Sequence, residues 1–271
     1  MFSDALRIAG TGGAALLLIM FLLWLVSIRI RNAGIVDAGW SLGLVLLATW
    51  YTLRGTGFPE RKFILAGMIV VWGLRLGIHL VRRIAREPED GRYQQMRRDW
   101  QGSNVNLRFL FFFEAQAVLD VLLSLPILVA AMNPAPQLSV LEYAGSVLWL
   151  VAVVGESVAD AQLAAFKRNP ANRGHVCQRG LWNYSRHPNY FFEWFVWVAW
   201  SIYALASPLG WVALVCPMLM FFFLFRVTGI PATEAQALRS RGHEYERYQR
   251  TTSAFVPWFK KSPADQGDGP L

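Results

Sequence analysis

The chain has 271 residues, 55% of them hydrophobic and only 16% charged, with a mean hydropathy of +0.33. The apolar residues come in long blocks separated by short charged stretches, the pattern of a chain solvated by lipid and not of a soluble core. The net charge of +8 comes from Lys and Arg between these blocks, which argues against a nucleic-acid partner, and two cysteines, Cys177 and Cys216, support neither a disulfide framework nor a metal site.

A membrane span needs about 20 mostly apolar residues. In chain order the sequence offers seven, at residues 11–30, 35–53, 63–81, 107–132, 140–163, 189–206 and 209–230. The first has no small-residue cleavage site after it and reads as a membrane helix, not a removed signal. The second carries Asp37 near its start, and the fourth contains Pro126, which predicts a kink. Residues 82–108 hold seven arginines, the loop after the fifth span holds Lys167, Arg168, Arg173, Arg179 and Arg186, and the tail holds six more cations. Residues 133–139 and the turn at Ser207 and Pro208 have none. Basic segments stay with the cytoplasm, so the reading is an all-α, polytopic inner-membrane protein with its N-terminus outside and its C-terminus inside. The turn with Arg54, Arg61 and Lys62 falls outside, against the rule. Residues 1–260 read as one seven-helix membrane domain, and 261–271, rich in Pro, Gly and Asp, as a disordered tail.

Ionisable residues inside spans usually face a cavity or a protein interior. Here they are Asp37, Arg75, His79, Glu114, Asp120, Glu156, Asp160, Glu193 and Arg226. Glu156 and Asp160 share one helix face, as do Arg75 and His79. The densest signal is residues 160–193, DAQLAAFKRNPANRGHVCQRGLWNYSRHPNYFFE. Its Lys and Arg offer charge to phosphates, Gly174 and Gly180 permit close backbone approach, Tyr184 and Tyr190 offer faces for a flat ring, and Asn189 supplies a donor and an acceptor. These residues alone fit either an anionic, aromatic cofactor or a basic surface loop attracted to acidic lipids.

The run RGLWNYSRHPNYFFEW at 179–194 resembles the C-terminal signature of the steroid 5-alpha-reductase and sterol-reductase superfamily. The whole chain resembles its bacterial branch, the domain-of-unknown-function 1295 proteins, through VDAGWSLG at 36–43, WGLRL at 72–76, RYQQMRRDW at 92–100, DAQLAAFK at 160–167, VTGIPATE at 227–234 and YERYQRTTSAFVPW at 245–258. That resemblance implies a seven-helix membrane fold in the bacterial inner membrane. It also implies NADPH entering from the cytoplasm into the half at 140–258, and hydride transfer to a conjugated carbon–carbon double bond of a lipid-soluble substrate. Carried over by motif, Asp160, Lys167, Arg179, Asn189, Tyr190 and Glu193 line the cofactor, with Arg186 and His187 in the same motif. The reductases grip a steroid carbonyl with a Gln-Glu pair and a Tyr. Here the early helix offers Asp37 and Trp40, and the Tyr position is matched by Trp72, which cannot act as a phenolic acid. The substrate class therefore stays open between steroid-like, isoprenoid, quinone-like and fatty-acyl lipids, and the acid role falls to Asp37, His79 or Tyr93. The same region is similar to isoprenylcysteine carboxyl methyltransferases, in which case Arg186, His187, Tyr190 and Glu234 would hold S-adenosylmethionine. A non-enzymatic lipid-binding protein is the third reading.

Overall fold

This computed structural model describes residues 2–227 and 229–260, and the tail expected at 261–271 lies outside them. The helices are α1 (Phe2–Ile30), α2 (Ile35–Arg54), α3 (Pro59–Arg86), α4 (Gly91–Asp99), α5 (Val105–Leu123), α6 (Leu125–Ala131), α7 (Val140–Arg168), α8 (Pro188–Ala204), α9 (Val215–Phe222), α10 (Ile230–Arg241) and α11 (His243–Thr251). Short 3-10 turns occupy Pro170–Asn172, Gly180–Asn183 and Gly210–Leu214, and a π turn occupies Phe223–Val227. Among the described residues there is no β-strand, and a parallel bridge joins Ser185 to Ser253. The all-helical expectation holds.

Five helical segments are long and apolar enough to cross a membrane, or six if α5 and α6 count as one broken span. The break falls where Pro126 enters the first turn of α6, and the two helices are bent by 42°. The expected sixth span, 189–206, corresponds to α8, which has 17 residues. At 1.5 Å per residue that is about 26 Å, at the short end of the roughly 17–25 residues that cross a bilayer. The expected seventh span falls in one of the five, where the chain runs through the turn at Gly210–Leu214, α9 and the π turn.

The chain divides into two compact units, one made of the residues up to Ser146 with Trp200–Leu214, the other of Val147–Ala199 with the residues from Val215 on. In the first unit α2 packs against α1, α3 and α5. Gly43 lets α2 approach α5 closely, because a Cβ there would collide with the Asp120 carboxylate. Asp120 is fully buried, and neither of its oxygens has a hydrogen-bond partner among the described residues. The charges near the expected outer turn are resolved differently. Arg61 is 1% exposed and pairs with Glu142 in the first turn of α7. Its remaining donors reach the carbonyls of Asn133 (3.1 Å), Ala135 (2.7 Å) and Gln137 (2.6 Å), and Tyr203 donates to the Arg61 carbonyl at 2.8 Å. Lys62 is tied to the Gly55 carbonyl at 2.6 Å, and Arg54 lies over the Trp50 ring. Two of the three cations that break the positive-inside pattern thus have their donors taken within the protein.

In the second unit, α10 and α11 pack through Val176, Ala237, Tyr245 and Tyr248. Leu224, Ile230 and Phe255 form a second cluster with Tyr190, Phe191 and Trp194. The chain beyond α11 lies along residues 184–186. Arg186 donates its N–H to the Ser253 carbonyl (2.8 Å), Ser185 Oγ donates to the Phe255 carbonyl (2.8 Å), and the Trp258 N–H reaches the Tyr184 carbonyl (2.9 Å).

Removing one partner of a fully buried ion pair strands the other charge. Glu142→Ala should therefore cost about 3–5 kcal/mol of stability, and Glu142→Ala with Arg61→Met should recover part of it. Thermal unfolding in detergent measures both; equal losses in the single and the double variant would contradict the pairing.

Candidate functional site

Within the second unit, the end of α7, the loop after it, the start of α8, α10 and α11 enclose a cleft of about 630 Å³. Each wall has a local cause. Asn169 caps the 3-10 turn at Pro170 by accepting from the Ala171 N–H at 3.0 Å, so the chain leaves α7 with Lys167, Arg168 and Arg173 exposed at the rim. Gly174 follows in the left-handed region (φ 86°), with open space where a Cβ would stand. Gly180 is also left-handed (φ 58°), and the Gln162 amide fills the place of its Cβ; the same amide oxygen accepts from the Leu181 N–H at 2.8 Å. Trp182 then anchors the loop by donating to the Ala159 carbonyl at 2.9 Å.

The floor is a polar knot around Glu234. Arg186 Nε donates to Glu234 Oε1 at 2.6 Å, His187 Nε2 lies 3.2 Å from the same oxygen, and Gln249 donates to Oε2 at 2.7 Å. Arg186 Nη1 donates further to the carbonyls of Gln249 (2.9 Å) and Thr252 (2.6 Å). His187 and Tyr190 stack, their ring centroids 5.3 Å apart and their planes 5° from parallel, and both line the cleft. Asn189 donates to Asp160 at 3.3 Å. The lining holds Lys167, Arg168, Arg173, Arg186 and Arg241 and, among the described residues, no carboxylate. Field lines from several cations converge in such a cleft and favour a polyanion.

The sequence pattern of the family described as "Protein of unknown function (DUF1295)" matches residues 23–252. The chain belongs to the DUF1295 family. No curated protein and no solved structure matches it.

Of the residues expected at the cofactor of this DUF1295 protein, Lys167, Arg186, His187, Asn189 and Tyr190 line the cleft together. Asp160 reaches it through Asn189, and Arg179 stands outside the lining with its guanidinium 6.0 Å from the ring of Phe166, a lining residue. Glu193 lies in α8 outside the lining. Arg186 is a brace and not an open phosphate fork, since its donors face Glu234 and two carbonyls. His175, Arg241, Tyr245 and Tyr248 complete the walls. Sequence reasoning did not single these four out. The i, i+3 spacing of Tyr245 and Tyr248 on one face of α11 is the signal that marked their burial.

The residues expected to act as acids lie in the first unit. Tyr93 is buried, and its hydroxyl donates to Asp37 Oδ1 at 2.6 Å, while Arg92 donates to Asp37 Oδ2 at 3.0 Å. Arg83 and Arg92 both pair with Asp90. Burial first, then the Asp37 charge, raises the Tyr93 hydroxyl well above its ordinary value, so it keeps its proton. Trp72 is fully buried with its ring edge-on to Trp40 and Trp200, at 6.0 and 5.3 Å. His79 is exposed on α3.

Glu234 lies beyond Val227, where the apolar stretch ends. Burial alone would raise its carboxyl, but the hydrogen bonds from His187 and Arg186, the Arg186 charge and the Gln249 amide outweigh it and hold the group down to about 2. The folded value lies below the unfolded one, so this contribution is present above the ordinary carboxylate range and lost as the pH falls toward 2. Thermal melts at about pH 5 and pH 3 should therefore show a larger loss for the wild type than for Glu234→Gln. Parallel losses in the two proteins would contradict the assignment.

Proposed function

We propose that the cleft of the second unit binds a phosphate-rich dinucleotide, NADPH, and that the protein is a membrane reductase acting on a conjugated carbon–carbon double bond of a lipid-soluble substrate. The observation that carries this reading is the cleft's lining, several cations with no carboxylate beside a stacked aromatic pair. The residues fit the group. The volume of about 630 Å³ falls within the roughly 300–1,000 Å³ of ordinary ligand pockets. Lys167, Arg168, Arg173 and Arg241 would hold phosphates, and Asn189, fixed by Asp160, would present its amide to a carboxamide. When bound, NADPH supplies hydride. Arg186 keeps the floor of the cleft in place through Glu234. Tyr93 holds a proton on its hydroxyl, poised by Asp37, and is the acid of this reading. The membrane is the bacterial inner membrane, crossed with the three basic segments on the cytoplasmic side and the N-terminus outside.

A second reading has one observation in its favour. Arg186, His187, Tyr190 and Glu234, the residues a methyltransferase of the isoprenylcysteine carboxyl type would use for S-adenosylmethionine, do gather at one place. Against it, Arg186 is spent on Glu234 and backbone carbonyls, and a lining of cations opposes a sulfonium while it attracts phosphates.

Titration of the detergent-purified protein with NADPH, NADH and S-adenosylmethionine separates these readings. NADPH should bind saturably, and Lys167→Ala or Asn189→Ala should weaken it roughly tenfold, the effect of one lost charge-assisted or amide hydrogen bond of about 1.5 kcal/mol. Binding of S-adenosylmethionine alone would replace the reductase reading with the methyltransferase one. Once a substrate is in hand, Asp37→Asn and Tyr93→Phe should each slow turnover by about 10²-fold or more, the scale of a lost general acid; a full rate in both would remove the pair from the acid role.

A further inference from the structure

A second cleft, of about 400 Å³, lies in the first unit where α1 ends, and its chemistry is different. Trp24, Ile28 and Phe109 give it an apolar wall, and Arg31 and Arg97 stand at its polar side with Glu89. Glu89 is neutralised in place. Arg97 Nε and Nη2 donate to it at 2.9 and 3.0 Å, and its Oε1 also accepts from the Ala33 N–H at 2.7 Å. Arg97 lies over the Phe109 ring at 4.7 Å, which fixes its guanidinium in the wall. Arg31 is left over. It is exposed and makes no hydrogen bond or ion pair among the described residues.

Arg31 lines the cleft from the position that closes α1. Its φ of 53° lies in the left-handed region, and the next N–H, of Asn32, returns to the Ser27 carbonyl at 3.1 Å, closing the end of α1. That position ordinarily falls to glycine or asparagine because a Cβ is disfavoured there. Toward the N-terminus of α1, Leu17 and Phe21 continue the helix face of Trp24 and Ile28, and both are exposed, an apolar track beside which a hydrocarbon chain can lie. Trp24, partly buried, donates from its indole to the Asn106 carbonyl at 2.9 Å, the arrangement of a tryptophan at a membrane interface. One uncompensated cation, an apolar wall and an apolar track parallel to a spanning helix match a molecule with an anionic head and a fatty tail.

We propose that this cleft binds the phosphate headgroup of an anionic phospholipid, with Arg31 as its principal cation and one acyl chain along α1. The site is separate from the dinucleotide cleft, and the proposal stands whether or not the protein is a reductase.

Native mass spectrometry of the detergent-purified full chain, titrated with phosphatidylglycerol or phosphatidylcholine, tests it. Arg31→Gln is compared with Arg29→Gln. Arg29 is also exposed and without a partner among the described residues, and it lies outside the cleft. Phosphatidylglycerol should be retained one per protein more tightly than phosphatidylcholine. Arg31→Gln should weaken it by about fivefold, the factor expected for one cation at a headgroup, and Arg29→Gln should leave it near the wild-type value. Thermal melts of both variants confirm that they are folded. Equal losses in the two variants, or equal retention of the two lipids, would show only diffuse surface attraction and overturn the proposal. Displacement of the lipid by inorganic phosphate at a comparable concentration would overturn it too, by showing a free-anion site with no use for the tail.

Discussion

Glu234 accepts hydrogen bonds from Arg186 and Gln249 and meets His187 at the same oxygen as Arg186, and in doing so it ties the start of α10 to the segment that enters α8 and to α11. The walls of the second-unit cleft come from those same elements. A carboxylate taken from water is costly unless its lone pairs are met and its charge is balanced, and here the Arg186 guanidinium supplies both. Because Arg186 also reaches the carbonyls of Gln249 and Thr252, the ion pair fixes backbone as well as side chains. The return of the chain beyond α11 along Tyr184 and Ser185 then continues a path already set by that pair.

The first unit answers the same constraint in apolar surroundings. Arg61 and Glu142 are both removed from solvent, and every carbonyl drawn to Arg61 belongs to the segment that joins α6 to α7. The pair therefore acts as a clamp on a connection that has no regular hydrogen-bonding of its own. In the expected orientation it also accounts for a cation placed against the usual loop asymmetry, since that asymmetry concerns cations free to meet water and headgroups. Arg61 is not one of them.

The two clusters of arginine differ in what their charge is free to do. Around Asp90 and Glu89, Arg83, Arg92 and Arg97 are matched by carboxylates, and the result is a held loop with a buried tyrosine beside Asp37. Around the second-unit cleft, Lys167, Arg168 and Arg173 stand at the rim and meet no carboxylate in its lining. Unmatched positive charge facing an enclosed volume is what a polyanionic ligand needs, whereas matched charge serves the fold.

The sequence by itself determined the helical class, the position of most apolar helices, the break at Pro126 and the segment that carries the cleft. These follow from local causes: an apolar block must be helical in lipid, proline cannot continue a helix unbroken, and the loop after α7 gathers its cations and glycines within one short stretch of chain. Only the tertiary structure decided that Arg186 braces Glu234 and is not open to a phosphate, that Trp72 is packed among tryptophans, that Asp37 meets Tyr93 some fifty residues away, and that Tyr245, Tyr248 and Arg241 complete the cleft. The physical reason is the same in each case. A side chain's charge and type can be read in the chain, but whether its donors are spent or free depends on partners that only long-range folding brings within hydrogen-bonding distance.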